Sequence, residues 1–123
     1  MADTLLSFKE MCARFDVTAR TLRYYEYIEL LNPRKEGRQR SYGSREVARM
    51  TLILRGRRFG FSLEEIRQWL EIYETAGTRA QLETWVRMAD RQLVALRRQQ
   101  TELGATIEEL EQLRNEVAQD LGQ

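Results

Sequence analysis

Arg20, Arg23 and Tyr24 fall at i, i+3 and i+4 within Thr18-Ala19-Arg20-Thr21-Leu22-Arg23-Tyr24-Tyr25-Glu26. On a helix, that spacing puts two guanidinium groups and a phenol on one stripe. Leu22 and Tyr25 lie elsewhere on the same helix and can anchor it. Arginine can bridge guanine O6 and N7 with two parallel hydrogen bonds, a fork that lysine lacks. Such a stripe fits a DNA major groove, with Arg20 or Arg23 reading base edges and Thr18 and Thr21 in the same DNA-facing set. An ordinary solvated amphipathic helix would look the same on this stretch alone.

The neighbouring elements decide between the two. Ser7-Phe8-Lys9-Glu10 is a capping box, and the helix it opens carries Phe8, Met11, Cys12 and Phe15 on a core stripe. Asp16-Val17 breaks that helix and Thr18 caps the next. Two short helices across a tight turn make a helix-turn-helix. Asn32-Pro33 closes the second helix. Residues 34–43 come next, rich in arginine with Gly37 at the turn, and predict a small hairpin or wing. Arg38 and Arg40 are its phosphate-contact candidates, because the loop is too basic to be merely solvated. Ser44 is expected to cap a third helix, with Val47, Ala48, Met50, Thr51 and Leu54 around its buried side. Arg45, Arg49, Arg55, Arg57 and Arg58 are expected on its exposed side and end. Ser62-Leu63-Glu64-Glu65 is a second capping box and opens a helix with Leu63, Ile66, Leu70 and Tyr73 at core spacing, widened by Trp69.

Thr75-Ala76-Gly77 is the next break, and Thr78 to Gln81 caps the last helix. Along that helix Leu82, Val86, Ala89, Leu93, Leu96, Gln100, Leu103, Ile107, Leu110, Arg114, Val117 and Leu121 alternate by four and three. Ten of these twelve positions are apolar, which predicts a coiled coil. A helix of this length cannot bury its stripe on a small front domain, so a partner helix is required, and a second copy of the chain is the simplest partner. The expected division is a DNA-binding domain over 1–75 and a dimerisation helix over 76–123.

Charge follows the same division. Residues 1–60 hold 13 Lys/Arg against 7 Asp/Glu, whereas residues 61–123 hold 7 against 12. A basic front and an acidic rear suit a nucleic-acid-facing domain followed by an element that avoids phosphate. Of the 20 basic residues, only Lys9 and Lys35 are lysines. One cysteine and no histidine exclude an intrachain disulfide, a Cys/His zinc site and His-dependent catalysis. Cys12 reads as a small buried hydrophobe rather than a sensing thiol. No apolar run is long enough to span a bilayer, and no signal-peptide pattern precedes the first helix, so the expected location is the cytoplasm. Carboxylates are plentiful but scattered over solvated helix faces, and no catalytic residue, metal or cofactor is implied.

Four motifs in order carry a family resemblance: Thr21-Leu22-Arg23-Tyr24-Tyr25-Glu26, Leu30-Leu31-Asn32-Pro33, Arg38-Gln39-Arg40-Ser41-Tyr42, and Arg57-Arg58-Phe59-Gly60-Phe61-Ser62-Leu63-Glu64-Glu65-Ile66. From Ser7 to about Tyr73 the chain resembles the MerR family of bacterial transcription regulators. The resemblance implies a mostly α winged helix-turn-helix with a small β wing and a long coiled-coil helix. Its parts would be a recognition helix at 18–26, a first wing at 34–42 and a second wing from two helices at 44–73. It further implies an antiparallel homodimer on a pseudo-palindromic promoter site, bending and underwinding double-stranded DNA and acting on RNA polymerase through the promoter. By the match, Arg23 and Tyr24 lie at the groove, Arg40 and Tyr42 hold phosphates from the first wing, and Arg57 does so from the second. Glu29 departs from the family's glycine before the Leu-Leu pair, so either it accepts strain or the turn differs. No cysteine stands in the rear half, where metal-sensing members carry theirs, and an added ligand domain of the drug-sensing kind is not expected.

The competing classes are a coiled-coil adaptor whose basic front docks protein or RNA, and an architectural DNA bender without ligand control. The signal is open: a small hydrophobic effector lined by Trp69, Tyr73, Trp85 and Met88, or no effector at all.

Overall fold

The computed structural model describes residues 4–75 and 78–122, and the side chain of Tyr73 lies outside that description. The expectations for Ala76-Gly77 in the break and for Tyr73 as a core or effector-lining residue therefore fall outside the described residues. The elements run β1 (Leu6–Ser7), α1 (Phe8–Phe15), α2 (Ala19–Tyr27), β2 (Arg34–Glu36), β3 (Gln39–Tyr42), α3 (Ser44–Phe59), α4 (Leu63–Glu74) and α5 (Arg79–Leu121). They form two compact units, one ending at Gln81 and the other beginning at Leu82.

Local chemistry sets the helix starts. Ser7 accepts from the Glu10 backbone N–H at 3.2 Å while Glu10 accepts from the Ser7 N–H at 2.9 Å, so the first capping box is formed. The same holds for Ser62 and Glu65, both bonds at 3.1 Å. Thr78 receives the Gln81 N–H at 3.3 Å and starts α5. One expected cap moves: Gly43 occupies the N-cap position of α3 in extended backbone, with no side-chain cap, and Ser44 is already the first helical residue.

Three helices of the first unit end alike. Asp16, Glu29 and Gly60 each take a positive φ, of 51°, 63° and 89°. In each case the residue after it reaches back five positions: Val17 to Cys12 at 3.1 Å, Leu30 to Tyr25 at 2.9 Å, and Phe61 to Gly56 at 3.1 Å. These are Schellman ends, in which a left-handed residue lets two backbone N–H groups satisfy the last carbonyls. Only one of the three is glycine. Glu29 thus accepts the strain, and the chain leaves α2 by the same turn a glycine would give. Left-handed backbone costs a side-chain-bearing residue roughly 1–2 kcal/mol, partly offset because glycine loses more entropy on folding. Glu29→Gly should therefore raise stability by about 0.5–1 kcal/mol, and a lower melting temperature than wild type would contradict this reading.

The wing is a three-stranded antiparallel sheet in the order β1-β3-β2. Lys35 pairs with Arg40 and Glu36 with Gln39, leaving Gly37-Arg38 as a two-residue loop with Gly37 at φ +61°. A positive φ at the first central position is what a type II′ hairpin requires. The strand β1 pairs Leu6 with Tyr42 and Ser7 with Ser41. Sequence patterning does not predict it, because at two residues it is too short to show a period.

The core gathers Met11 of α1, Leu22 and Tyr25 of α2, Leu30 and Leu31 after it, and Met50, Ile53, Ile66 and Leu70 of α3 and α4. The face that α3 buries differs from the expected one. Ala48 and Thr51 are exposed, and the inward positions are Glu46, Met50, Ile53 and Gly56. Gly56 permits close approach of α4: a Cβ built there would stand 2.8 Å from Ile66 Cγ1 and 2.9 Å from Trp69 Cζ3. Gly56→Ala gains ~1 kcal/mol of helix propensity but overpacks this contact, at roughly 1–3 kcal/mol. A net loss of up to about 2 kcal/mol in denaturant melts is expected, and an alanine variant more stable than wild type would refute the close packing. Trp69 is 2% exposed and packs beside Phe59 and Phe61 at centroid distances of 6.3 and 6.1 Å, a core role rather than a ligand box.

The helix α5 is unbroken from Arg79 to Leu121, and the second unit is made of it from Leu82 on. Along it Leu93, Leu103, Ile107, Leu110 and Val117 are between 43% and 65% exposed in the single chain. A methyl group added at Gly104 would meet no atom within 4 Å, so a single chain gives this glycine no close neighbour among the described residues.

Candidate nucleic-acid interface

Thr18 does two things at the start of α2. Its hydroxyl accepts the Thr21 N–H at 3.0 Å and donates to the Thr21 hydroxyl at 2.9 Å. Both side chains are thereby engaged in building the helix start, whose free N–H groups and dipole favour an anion nearby. Leu22 is fully buried and Tyr25 is 7% exposed. This anchoring turns Arg20, Arg23 and Tyr24 outward. Arg20 is exposed along with Arg23 and Tyr24.

The Phe8 ring organises the next layer. The Arg23 guanidinium carbon stands 5.4 Å from its centroid and that of Arg40 stands 5.8 Å away, both at cation–π distance. Arg40 also pairs with Glu26, Nε to Oε1 at 3.2 Å, where the Glu26 side chain is only 9% exposed. One aromatic ring therefore holds an arginine of the helix and an arginine of the hairpin in fixed relation. Spacing alone marks Phe8 as core, and no signal in the sequence separates that role from this one.

Tyr42 requires a correction. The family match implies a phosphate contact from the first wing, but Tyr42 is 0% exposed. Burial, and then the negative charge of Glu26, push its phenol well above the usual tyrosine range. The alternation of β3 turns Tyr42 into the core beside Leu6, so its hydroxyl is covered rather than meeting solvent. Arg38 at the hairpin tip and Arg34 and Lys35 on β2 are exposed. Between the start of α1 and this hairpin lies a cleft of about 770 Å³ lined by Lys9, Arg34, Arg38 and Arg40, with Glu10 and Glu36 among its acidic residues.

Arg57 and Arg58 are exposed in the last turn of α3, as the sequence suggests. Arg49 is not: its side chain is 14% exposed. Its Nε donates to the Leu30 carbonyl at 2.9 Å and its Nη1 pairs with Glu74. Arg67 donates to the Ile28 carbonyl, and buried Glu46 accepts the Asn32 N–H at 2.9 Å while pairing with Arg45 at 2.9 Å. The exit from α2 is thus clamped to α3 and α4 by three side chains, which fixes the pose of the exposed stripe. Sequence spacing could not reveal this, because each partner lies 14 to 39 residues away.

Cys12 sits half-buried in α1. Burial pushes its thiol up, with nearby Arg23 opposing and Glu26 reinforcing the shift. A raised value disfavours the free thiolate at neutral pH.

An outward arginine–tyrosine stripe on the second helix of a helix-turn-helix, beside a basic hairpin, defines a winged helix-turn-helix DNA-binding unit. Known proteins agree. Residues 6–72 match the model of the MerR HTH family regulatory protein, and residues 47–113 match that of MerR, DNA binding. The chain belongs to the MerR family of transcription regulators, a DNA-binding and non-enzymatic family. It is 34% identical over 111 residues to the HTH-type transcriptional regulator HmrR of Rhizobium leguminosarum bv. viciae, covering 85% of this chain and 83% of that protein. A MerR family transcriptional regulator from Bacillus cereus superposes with a TM-score of 0.74 at 27% identity, over 89% of this chain and 79% of that one. PbrR691 of Ralstonia metallidurans CH34, solved with lead(II), gives a TM-score of 0.64 at 30% identity, over 88% and 84%.

Proposed function

We propose that residues 1–75 read duplex DNA, that residues 76–123 pair two copies of the chain, and that the dimer binds a pseudo-palindromic promoter site. The observation that carries this is the outward stripe of Arg20, Arg23 and Tyr24, clamped at both ends of α2 and flanked by the basic hairpin. In this reading Arg20, Arg23 and Tyr24 enter the major groove, with Thr18 and Thr21 at the helix start. Arg38 and Arg40 hold phosphate from the hairpin, and Arg57 does so from the end of α3. Tyr42 acts from behind, packed in the core under the hairpin, while Glu26 pairs with Arg40.

The apolar stripe of Leu82, Val86, Ala89, Leu93, Leu96, Leu103, Ile107, Leu110 and Val117 supports pairing. Five heptads of apolar side chains exposed to water favour association. Two copies give two recognition helices, and bending or untwisting the duplex between them would adjust initiation by RNA polymerase. No helix among the described residues is long and apolar enough to cross a membrane, consistent with action in the cytoplasm. Lead(II) belongs to the Ralstonia protein. Among the described residues of the single chain here no group of three His, Cys, Asp or Glu side chains is placed to hold a metal ion.

The test is the mass and composition of the complex on duplex DNA, in competition with RNA hairpins. Two chains per duplex, displaced by DNA and not by RNA, is the expected outcome. One chain per duplex, or equal displacement by RNA, would favour the adaptor class instead.

A further inference from the structure

Tyr27 is 85% exposed, more than any other large apolar or aromatic side chain among the described residues. It lies at i+7 from Arg20, i+4 from Arg23 and i+3 from Tyr24. It therefore continues the same helical stripe by one turn. The inward positions of α2 are taken by Leu22 and Tyr25, and the Schellman end is made by the backbone of Glu29 and Leu30. Packing and capping both leave Tyr27 unused. Arg23 rests over Phe8, whereas the Tyr27 side chain stands out in solvent.

Geometry says which part of a duplex such a side chain meets. From Arg20 to Tyr27 the stripe rises roughly 10 Å, at ~1.5 Å per residue. That is close to the ~12 Å width of the major groove. A recognition helix presents its N-terminal residues to base edges, so its last turn leaves the groove floor and comes level with the groove wall. The groove wall is the sugar-phosphate backbone. A phenol O–H is one of the donors that phosphate oxygens accept, and this one carries its ring well clear of the protein surface.

We propose that Tyr27 is a further DNA contact of α2, its hydroxyl donating to a backbone phosphate at the edge of the half-site. The inference rests on the proposed DNA-reading role of α2 and adds to it a residue that positions the helix rather than reading sequence. A phosphate contact by an uncharged group has a distinct signature. Its loss should lower affinity alike on specific and scrambled duplexes. It should also leave the salt dependence unchanged, because no counterion is displaced by a neutral donor.

The experiment compares the full-length wild type with Tyr27→Phe and Tyr27→Ala by fluorescence anisotropy, on a duplex selected by the wild type and on its scrambled counterpart, across a salt series. Tyr27→Phe should bind both duplexes about tenfold more weakly, as expected for loss of a hydrogen bond to a charged acceptor. Its slope against log salt and its melting temperature should match those of wild type. Tyr27→Ala should be at least as weak. A Tyr27→Phe protein indistinguishable from wild type overturns the inference alone, whether or not Tyr27→Ala is impaired, because the hydroxyl would then make no contact. A wild type that binds no duplex overturns the DNA-reading role and this inference together.

Discussion

Arg23→Ala should weaken binding to a selected half-site by about 10–100-fold and flatten the preference for that site over scrambled DNA. The size follows from the ~1–3 kcal/mol of discrimination carried by a bidentate arginine–guanine pair. Two features put Arg23 at the high end. Its exposed guanidinium is already oriented over Phe8 at 5.4 Å, so less side-chain freedom is lost on binding. The helix that carries it is held by the clamp at its exit. Arg23→Lys separates charge from geometry: it keeps the positive charge and should retain scrambled-DNA affinity, but it loses the planar fork and with it the selectivity. Because Arg23 is exposed, the fold should tolerate both changes to within about 0.5 kcal/mol. Unchanged affinity of Arg23→Ala on both duplexes would remove Arg23 from the reading surface.

Leu103→Asp should convert the dimer to a single chain and reduce operator affinity by more than about 100-fold. Leu103 occupies an apolar seam position of α5 and is 61% exposed in the isolated chain, so an aspartate there costs the chain itself little. In a paired helix it would bury a carboxylate without a partner, which costs several kcal/mol per ion, twice per dimer. The binding loss follows because linked half-site readers gain on the order of 10²–10⁴ in avidity, and a single reader forfeits it. Light scattering and gel shift on one preparation give both readouts. A Leu103→Asp protein that still has the mass of two chains would place the seam elsewhere on α5.

These two variants probe features that differ in how legible they are. Helix starts are plain in the sequence, because capping is a contact over three residues: Ser7 with Glu10 and Ser62 with Glu65. The outward stripe at 20, 23 and 24 is equally plain, being set by helix period alone. The α3 face escapes its hydrophobic pattern because Glu46 and Arg49 are inward for polar reasons, meeting Asn32 and Leu30 across the fold. A hydrophobic pattern cannot announce a buried ion. Tyr42 misleads for a related reason: Arg40 and Tyr42 both sit in a basic strand, and only the pairing of β1 with β3 shows that Tyr42 is covered. The close approach at Gly56 is silent as well, since a glycine in a helix shows its neighbour only in three dimensions. Glu29 lies between these cases. The sequence flags the position, and the backbone answers it with a left-handed glutamate.

The arrangement as a whole predicts a symmetric reader: two clamped recognition helices, related by a two-fold axis through paired α5 helices. Selection of randomised duplexes by the full chain, followed by sequencing of the retained DNA, tests this most directly. The predicted result is an inverted repeat, its half-sites centred one or two helical turns apart at ~34 Å per turn. Retention of DNA with no enriched sequence, or of a single unrepeated site, would contradict it.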